Sequence, residues 1–369
     1  MPDKWVLYSV VLLFLMGETA IISANVLSAS EIDIRTLKRP VLQFAVFFAG
    51  LLFSFYIAKI DYKRLFKGKW VYLLVGVSLV SLFIVLVKKL ISGKAVERWL
   101  FGGSVQPLEF AKIAIIIFLS YYIVSKGSLR SIKTFSWAFF IVLLHAVFLV
   151  LQPDKGGALF ILLLSFSLMY AGGIPYKLYI PAIALVGFFS FFLLKKGYVS
   201  ERLSAWIDPF ADAEDTGYQI IQSLYALAKG GPFGVGIGKG IQKMGALPEA
   251  DTDYVISIIG EEMGFLGVMM VVLLYALLVG RLFYYSVKVD EPFGKLLLFG
   301  VAMNFSLAFL WNLAMASNLL PPKGIALPFV SYGTSNLLAS LIMIGLAQSV
   351  IRVWQRERTF STLTAFTQS

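Results

Sequence analysis

The sequence holds no cysteine and a single histidine, His145. Without thiols there is no disulfide staple and no thiolate nucleophile, and one imidazole excludes a histidine-rich metal centre. Charge is scarce as well: 14% of the 369 residues are charged, while 59% are hydrophobic. Mean hydropathy is +0.83, far above that of a soluble domain. The balance defines an all-α polytopic membrane protein, in one integral membrane domain over 1–369. No internal repeat and no low-complexity tract interrupts it.

A helix needs about 20 apolar residues to cross the hydrocarbon core. Ten segments meet or approach that length: about 5–27, 40–58, 70–90, 107–124, 135–151, 157–172, 177–194, 255–280, 294–316 and 333–351. The first is too long for a cleaved signal peptide and lacks a small-residue cleavage site, so it is expected to be a retained span. An even number of spans puts both termini on one side. Loop 59–69, KIDYKRLFKGK, carries five basic residues and loop 125–134, SKGSLRSIKT, carries three. With Arg352, Arg356 and Arg358 of the tail they mark one face as cytoplasmic. Nearly all of the acids fall on the opposite face: Glu31, Asp33, Glu97, Glu109, Asp154 and a cluster from Glu201 to Glu262. The net charge of +11 therefore sits at the inner leaflet, where it suits anionic lipid. Charges spread over short loops do not suit a nucleic acid, and no nucleic-acid partner is expected.

One connection is too long to be a linker. Residues 195–254 form a large extracytoplasmic loop between the seventh and eighth spans, and loops of that kind are usually functional. Within it, Gly217–Lys229 has helical spacing of apolar residues and is expected at the membrane interface. GVGIGKG at 234–240 resembles a phosphate cradle only superficially. A Walker loop needs GK followed by Ser or Thr between a strand and a helix, so the reading is a flexible turn with exposed amides.

The remaining polar groups admit a structural and a functional reading each. Glu109 and Lys112 are three apart on one helix face, so they pair; the pair either braces the fourth span or lines a cavity. Glu18 and His145 lie mid-span, where ionisable groups are costly. His145 reads as a satisfied core residue. Glu18 reads either as a neutral packing group or as a functional one. Asp154 has the spacing of an N-cap for the sixth span, with substrate contact as the lesser reading. Arg98 and Trp99 form an interfacial anchor. PPKGIALPFVSYGTSN at 321–336 forces irregular backbone near membrane depth, tolerated only when buried in protein or lining a wet cavity. Lys323 within it is either solvated or a partner for a diphosphate.

GALPEADTDYVISIIGEEMG at 245–264 gathers Glu249, Asp251, Asp253, Glu261 and Glu262 at the mouth of a span. Asp253 stands near the helix start, where a carboxylate is favoured, with Thr252 or Asp251 as cap. That accounts for one acid, not five. Crowded carboxylates raise one another's pKa or hold a cation. Asp253 is the expected general base, and Asp253 with Glu261 the expected ligands for Mg²⁺ or Mn²⁺.

Taken in order, RW at 98–99, QPLEFAK at 106–112, QPDKG at 152–156, GYQIIQS at 217–223, LPEADTD at 247–253, GEEMG at 260–264 and PPKGIALPFVSYGTS at 321–335 resemble the SEDS family (shape, elongation, division, sporulation) over nearly the whole chain. The pattern is FtsW-like, the division type, more than RodA-like, the elongation type. The resemblance implies ten spans and a peptidoglycan glycosyltransferase that polymerises lipid II at the outer face of the membrane. It puts Asp253 at the catalytic position. Lys323, Arg98, Glu109, Lys112, Asp154, Gln222 and Ser331 fall in matching motifs as substrate-binding residues. It implies lipid II and an undecaprenyl-linked glycan as substrates, a class B penicillin-binding transpeptidase as partner, and division or elongation regulators besides. Three positions depart from the family pattern: Asp251 where His is usual, Leu108 where Ser is usual and Thr334 where Gly is usual. The rival class is a lipid II flippase, which needs charges along a path through the bilayer. A pure scaffold would not need Asp253.

Overall fold

The computed structural model describes residues 3–27, 34–65, 68–93, 96–127, 129–194, 204–213, 217–243 and 247–367. Glu31, Asp33 and Glu201, together with parts of the long loop, lie outside the described residues. The described chain is helical: α1 (Lys4–Ile22), α2 (Ile34–Lys59), α3 (Gly68–Ser92), α4 (Pro107–Ser125), α5 (Ile132–Leu151), α6 (Lys155–Ala171), α7 (Tyr176–Leu194), α8 (Tyr218–Gly230), α9 (Val255–Lys288), α10 (Pro292–Ala316) and α11 (Thr334–Thr367). Each of the ten apolar segments forms a helix. Eight are long and apolar enough to cross a membrane; α6 and α7 are shorter apolar helices. The chain is thus a multi-pass membrane protein.

Burial separates the helices by role. α4 is buried on nearly every side, from Pro107 to Ile123, as an apolar-all-round helix must be at the centre of a bundle. Pro107 starts it, because proline fits the first turn, where its missing N–H costs nothing. α2 and α3 instead carry exposed Leu, Phe and Val along one side, the surface a bilayer covers. α11 packs mainly along α2, α9 along α10 and α1, and α8 lies on α9.

Polar residues tie the two ends of the bundle. At one end Tyr62 donates to Glu291 (2.7 Å) and Arg281 clamps Asp3 with Tyr285. Burial pulls the Asp3 carboxyl upward, but the Arg281 and Tyr285 hydrogen bonds outweigh it and hold its pKa below the usual value. His145 is satisfied in the core, within 3.1 Å of Ser78 Oγ and 2.8 Å of the Ile141 carbonyl. Glu18 is buried in α1, and neither carboxylate oxygen has a hydrogen-bond partner among the described residues. The hydrogen-bonded packing role considered for it is therefore not what the fold provides.

The segment 317–333 between α10 and α11 is irregular yet largely buried. Its backbone is satisfied internally, as burial demands. Asn312 donates to the Ile325 carbonyl (3.0 Å), Tyr275 to the Pro328 carbonyl, and Leu327 N–H to Ser331 Oγ (2.9 Å). α1 runs close beneath it: a Cβ on Gly17 would collide with the Val330 backbone.

Candidate active site

Neither Thr252 nor Asp251 caps α9 as expected. The N-cap is Tyr254, with no side-chain hydrogen bond, and Asp253 belongs to the turn before it. Asp253 and Thr252 both donate their N–H groups to the Glu249 carbonyl (3.0 and 3.2 Å). The turn's own carbonyls are held from outside. Asn312 of α10 donates to Asp253 O (2.9 Å), Ser331 Oγ to Thr252 O, and Tyr332 N–H to Asp251 O (2.8 Å). The carbonyls of 251, 252 and 253 are thus each held from another segment, and Asp253 is half-buried within this turn.

Its carboxylate lies directly against Gly324, where a Cβ would overlap its oxygens. Lys323, one residue earlier, lays its stem across Gly156 in the same manner. Its ammonium stands 3.1 Å from Asp154 Oδ1. Asp154 is the N-cap of α6, accepting from Gly157 N–H at 3.1 Å. The capping expectation holds, and the same carboxylate also anchors Lys323, so that lysine is not a solvated bystander. Burial pushes the Asp154 carboxyl up, yet Lys323, Arg98 and the Gly157 amide together hold it below the usual aspartate value. Arg98 is turned inward rather than serving as an interfacial anchor, donating to the Pro153 carbonyl at 2.9 Å.

Glu109 and Lys112 form a buried ion pair at 2.8 Å on α4. Asn336 of α11 donates to the other Glu109 oxygen (3.2 Å), and the Lys112 ammonium lies 4.6 Å from the Phe160 ring centroid. The pair fastens the starts of α4 and α11 together. Leu108 packs against Gly157, beside the Asp154 cap. Ser331 holds the Asp253 turn as described. Gln222 is half-buried on α8, whose neighbouring Ser223 is bonded to Ser257 (2.7 Å) and the Ala316 carbonyl (2.7 Å). The described hydrogen bonds do not draw Gln222 to Asp253.

The five acids of 249–262 do not gather into one cluster. Asp251 is buried and receives Arg39 (2.7 Å) and Asn25 (2.9 Å). Glu249 is exposed and accepts from Thr252 Oγ (3.0 Å). Glu262 binds Lys243 and Ser23. Glu261 accepts the amides of Ile241 (2.9 Å) and Gln242 (3.1 Å) and lies 3.3 Å from Lys229. Glu261 and Glu262 both approach Gly240, and each is offset there by its own lysine. Among the described residues no three His, Asp or Glu side chains gather to hold a metal ion. The expected Asp253–Glu261 pair has its second member occupied by loop amides and a lysine. The donor set does not fit a protein-built divalent site.

Sequence reasoning missed Arg39, Asn25, Gln43 and Asn312. Gln43 donates to the Ser331 carbonyl (3.0 Å) and accepts from Gly333 N–H (3.2 Å). Asn25, Gln43 and Asn312 are isolated polar residues in or beside apolar runs, and that isolation is the signal that marks them; Arg39 follows Lys38 and carries no such signal.

These features define an all-helical integral membrane protein with one fixed carboxylate flanked by an anchored lysine. The chain belongs to the FtsW, RodA and SpoVE family of cell cycle proteins, whose family model matches residues 3–356. Among curated relatives, a probable peptidoglycan glycosyltransferase FtsW from Geobacter sp. (strain M18) is 40% identical over 70% of this chain and 72% of its own length. A protein of the same description from Marinomonas mediterranea is 32% identical over 92% of this chain and 85% of its own. Among solved structures, a chain from a study of the structural coordination of polymerization and crosslinking by a peptidoglycan synthase complex superposes with a TM-score of 0.75 at 28% identity, covering 95% of this chain and 98% of that one. The rod shape determining protein RodA of Thermus thermophilus gives 0.68 at 27% identity, over 96% and 98%.

Proposed function

We infer that this chain is a peptidoglycan glycosyltransferase, and we propose that it polymerises lipid II with Asp253 as general base. The observation that carries the role is the placement of Asp253: a half-buried carboxylate against Gly324, on a turn held by Asn312, Ser331 and Tyr332, with Lys323 anchored one residue before that glycine. The acceptor sugar presents its 4-hydroxyl to Asp253. The carboxylate takes the proton as the oxygen attacks the anomeric carbon of the donor. The bond from that carbon to the diphosphate oxygen breaks, and undecaprenyl diphosphate leaves with inversion. Charge developing on the leaving group is stabilised by fixed cations, Lys323 with Arg98 behind it. A pre-positioned base contributes on the order of 10²–10⁴-fold. No step passes through a metal ion.

Ten spans complete the picture, with the bilayer thinning around the short α6 and α7 to match their length. Both termini then face the cytoplasm with the basic loops, and the site faces outward with α8. The division-type assignment rests on the FtsW descriptions of the curated relatives. A class B penicillin-binding transpeptidase is the partner, by likeness to the synthase-complex chain.

The test is a polymerisation assay on purified protein in liposomes with lipid II, with and without the cognate transpeptidase. Wild type is compared with a folded Asp253→Asn variant, and glycan strands are read on a gel. Strands from wild type alone support the assignment. Strands from both variants remove Asp253 from the mechanism. Strands from neither, with the partner present, move the chain to the flippase class.

A further inference from the structure

The glycine run 230–240 has a purpose other than flexibility. It crosses α9 where that helix breaks, at Gly264, whose backbone (φ 67°, ψ −165°) is open only to glycine. Val235 and Gly236 N–H donate to the Glu261 and Glu262 carbonyls (2.9 and 3.0 Å), and Phe265 and Leu266 N–H donate back to Gly231 and Pro232 (2.8 and 3.2 Å). A Cβ on Gly264 would strike Gly234 and Phe233. The amides of Ile241 and Gln242 are spent on Glu261. The loop's amides are therefore turned inward, leaving no anion cradle. Facing out are Phe233, 79% exposed, with Ile237, Lys239 and Ile241.

The same level divides α9 in two. Residues 255–262 are buried on all sides. From Gly264 onward the buried positions are 264, 267, 271, 275, 278, 282, 285 and 286, a single helical stripe, and Phe265, Leu266, Met270 and Leu273 are exposed. Residues 265–288 rise about 36 Å at 1.5 Å each, enough for a hydrocarbon core of about 30 Å. The lipid boundary thus falls at Gly264, and the loop lies on it, continuous with the apolar side of α9.

We propose that Phe233, Ile237 and Ile241 insert into bilayer lipid at this boundary, with Lys239 at the headgroup phosphates, docking segment 218–243 onto the membrane. Lipid is the occupant because the exposed side chains prolong the lipid-facing stripe that begins at Phe265. The inference rests on α9 being a span and not on the role of Asp253, so either fails without the other.

The absence of cysteine makes the test direct. Phe233→Cys, Ile237→Cys and Ile241→Cys are made singly in the full chain, spin-labelled and reconstituted without a partner in phosphatidylethanolamine–phosphatidylglycerol liposomes. Leu273→Cys is the lipid reference and Glu249→Cys the water reference. These exposed side chains have little packing to lose, and size-exclusion chromatography verifies the fold. The expected result is loss of access to a water-soluble nickel relaxant with retained access to oxygen, as at Leu273. Nickel access like that at Glu249 at all three positions overturns the proposal and gives the face to a protein partner.

Discussion

The Lys323 ammonium stands 3.1 Å from the Asp154 carboxylate, so the cation next in sequence to Gly324, which Asp253 touches, is supplied by one loop and aimed by the cap of α6. Two irregular segments far apart in sequence are thereby fixed against each other. The site is assembled by close approach, with glycine at each crossing.

Gly324→Ala is expected to abolish activity as thoroughly as loss of the base, on the order of 10²–10⁴-fold. Its methyl would occupy the space of the Asp253 carboxylate. Gly156→Ala displaces the Lys323 stem instead. Strand synthesis from lipid II, set beside a thermal melt, separates a misaligned site from an unfolded one.

Asp154 links the site to pH. Its folded pKa lies below the usual value, so the stability it contributes is fully present above the unfolded value of about 3.9 and is lost as pH falls through the lower folded value. Melting temperatures followed from pH 7 down to pH 3 should drop in that acid window. Asp154→Asn should lower the melting temperature at pH 7 and flatten this part of the profile.

Lys243 and Glu262 form a buried pair, with side chains 0% and 3% exposed. Removing one partner leaves the other charge buried alone, so Lys243→Met or Glu262→Gln should cost about 3–5 kcal/mol. The double replacement Lys243→Met with Glu262→Leu should recover most of it. Thermal or denaturant unfolding in detergent gives both numbers.

Divalent cations should not bind the protein stoichiometrically without substrate, because the described side chains build no multi-carboxylate site. Mn²⁺ titration followed by electron paramagnetic resonance checks this on the lipid-free protein. A tight one-to-one site would contradict it.

The ten helices were legible in the sequence because each apolar run is bounded by charge, proline or glycine, but apolar runs do not mark where a helix leaves the membrane: α2 starts at Ile34, α9 continues to Lys288 and α11 to Thr367. The Glu109–Lys112 pair was legible too, since i,i+3 spacing leaves it little choice. The acids of 249–262 were not. Counting carboxylates in a stretch says nothing of the partners other segments bring, and Arg39, Asn25, Lys243 and Ser23 come from loops and helix ends remote in sequence. The glycine run misled for a related reason: a close crossing and a flexible turn use the same residue, and only the opposite backbone tells them apart.

The break at Gly264 is braced rather than free. Val235 and Gly236 donate to the carbonyls of Glu261 and Glu262 before it, and Phe265 and Leu266 beyond it donate to Gly231 and Pro232. Residues 255–262, buried on all sides, follow directly on the turn of Asp253. One loop therefore grips α9 on both sides of its break, and a change in that loop is passed to the helix that carries the Asp253 turn.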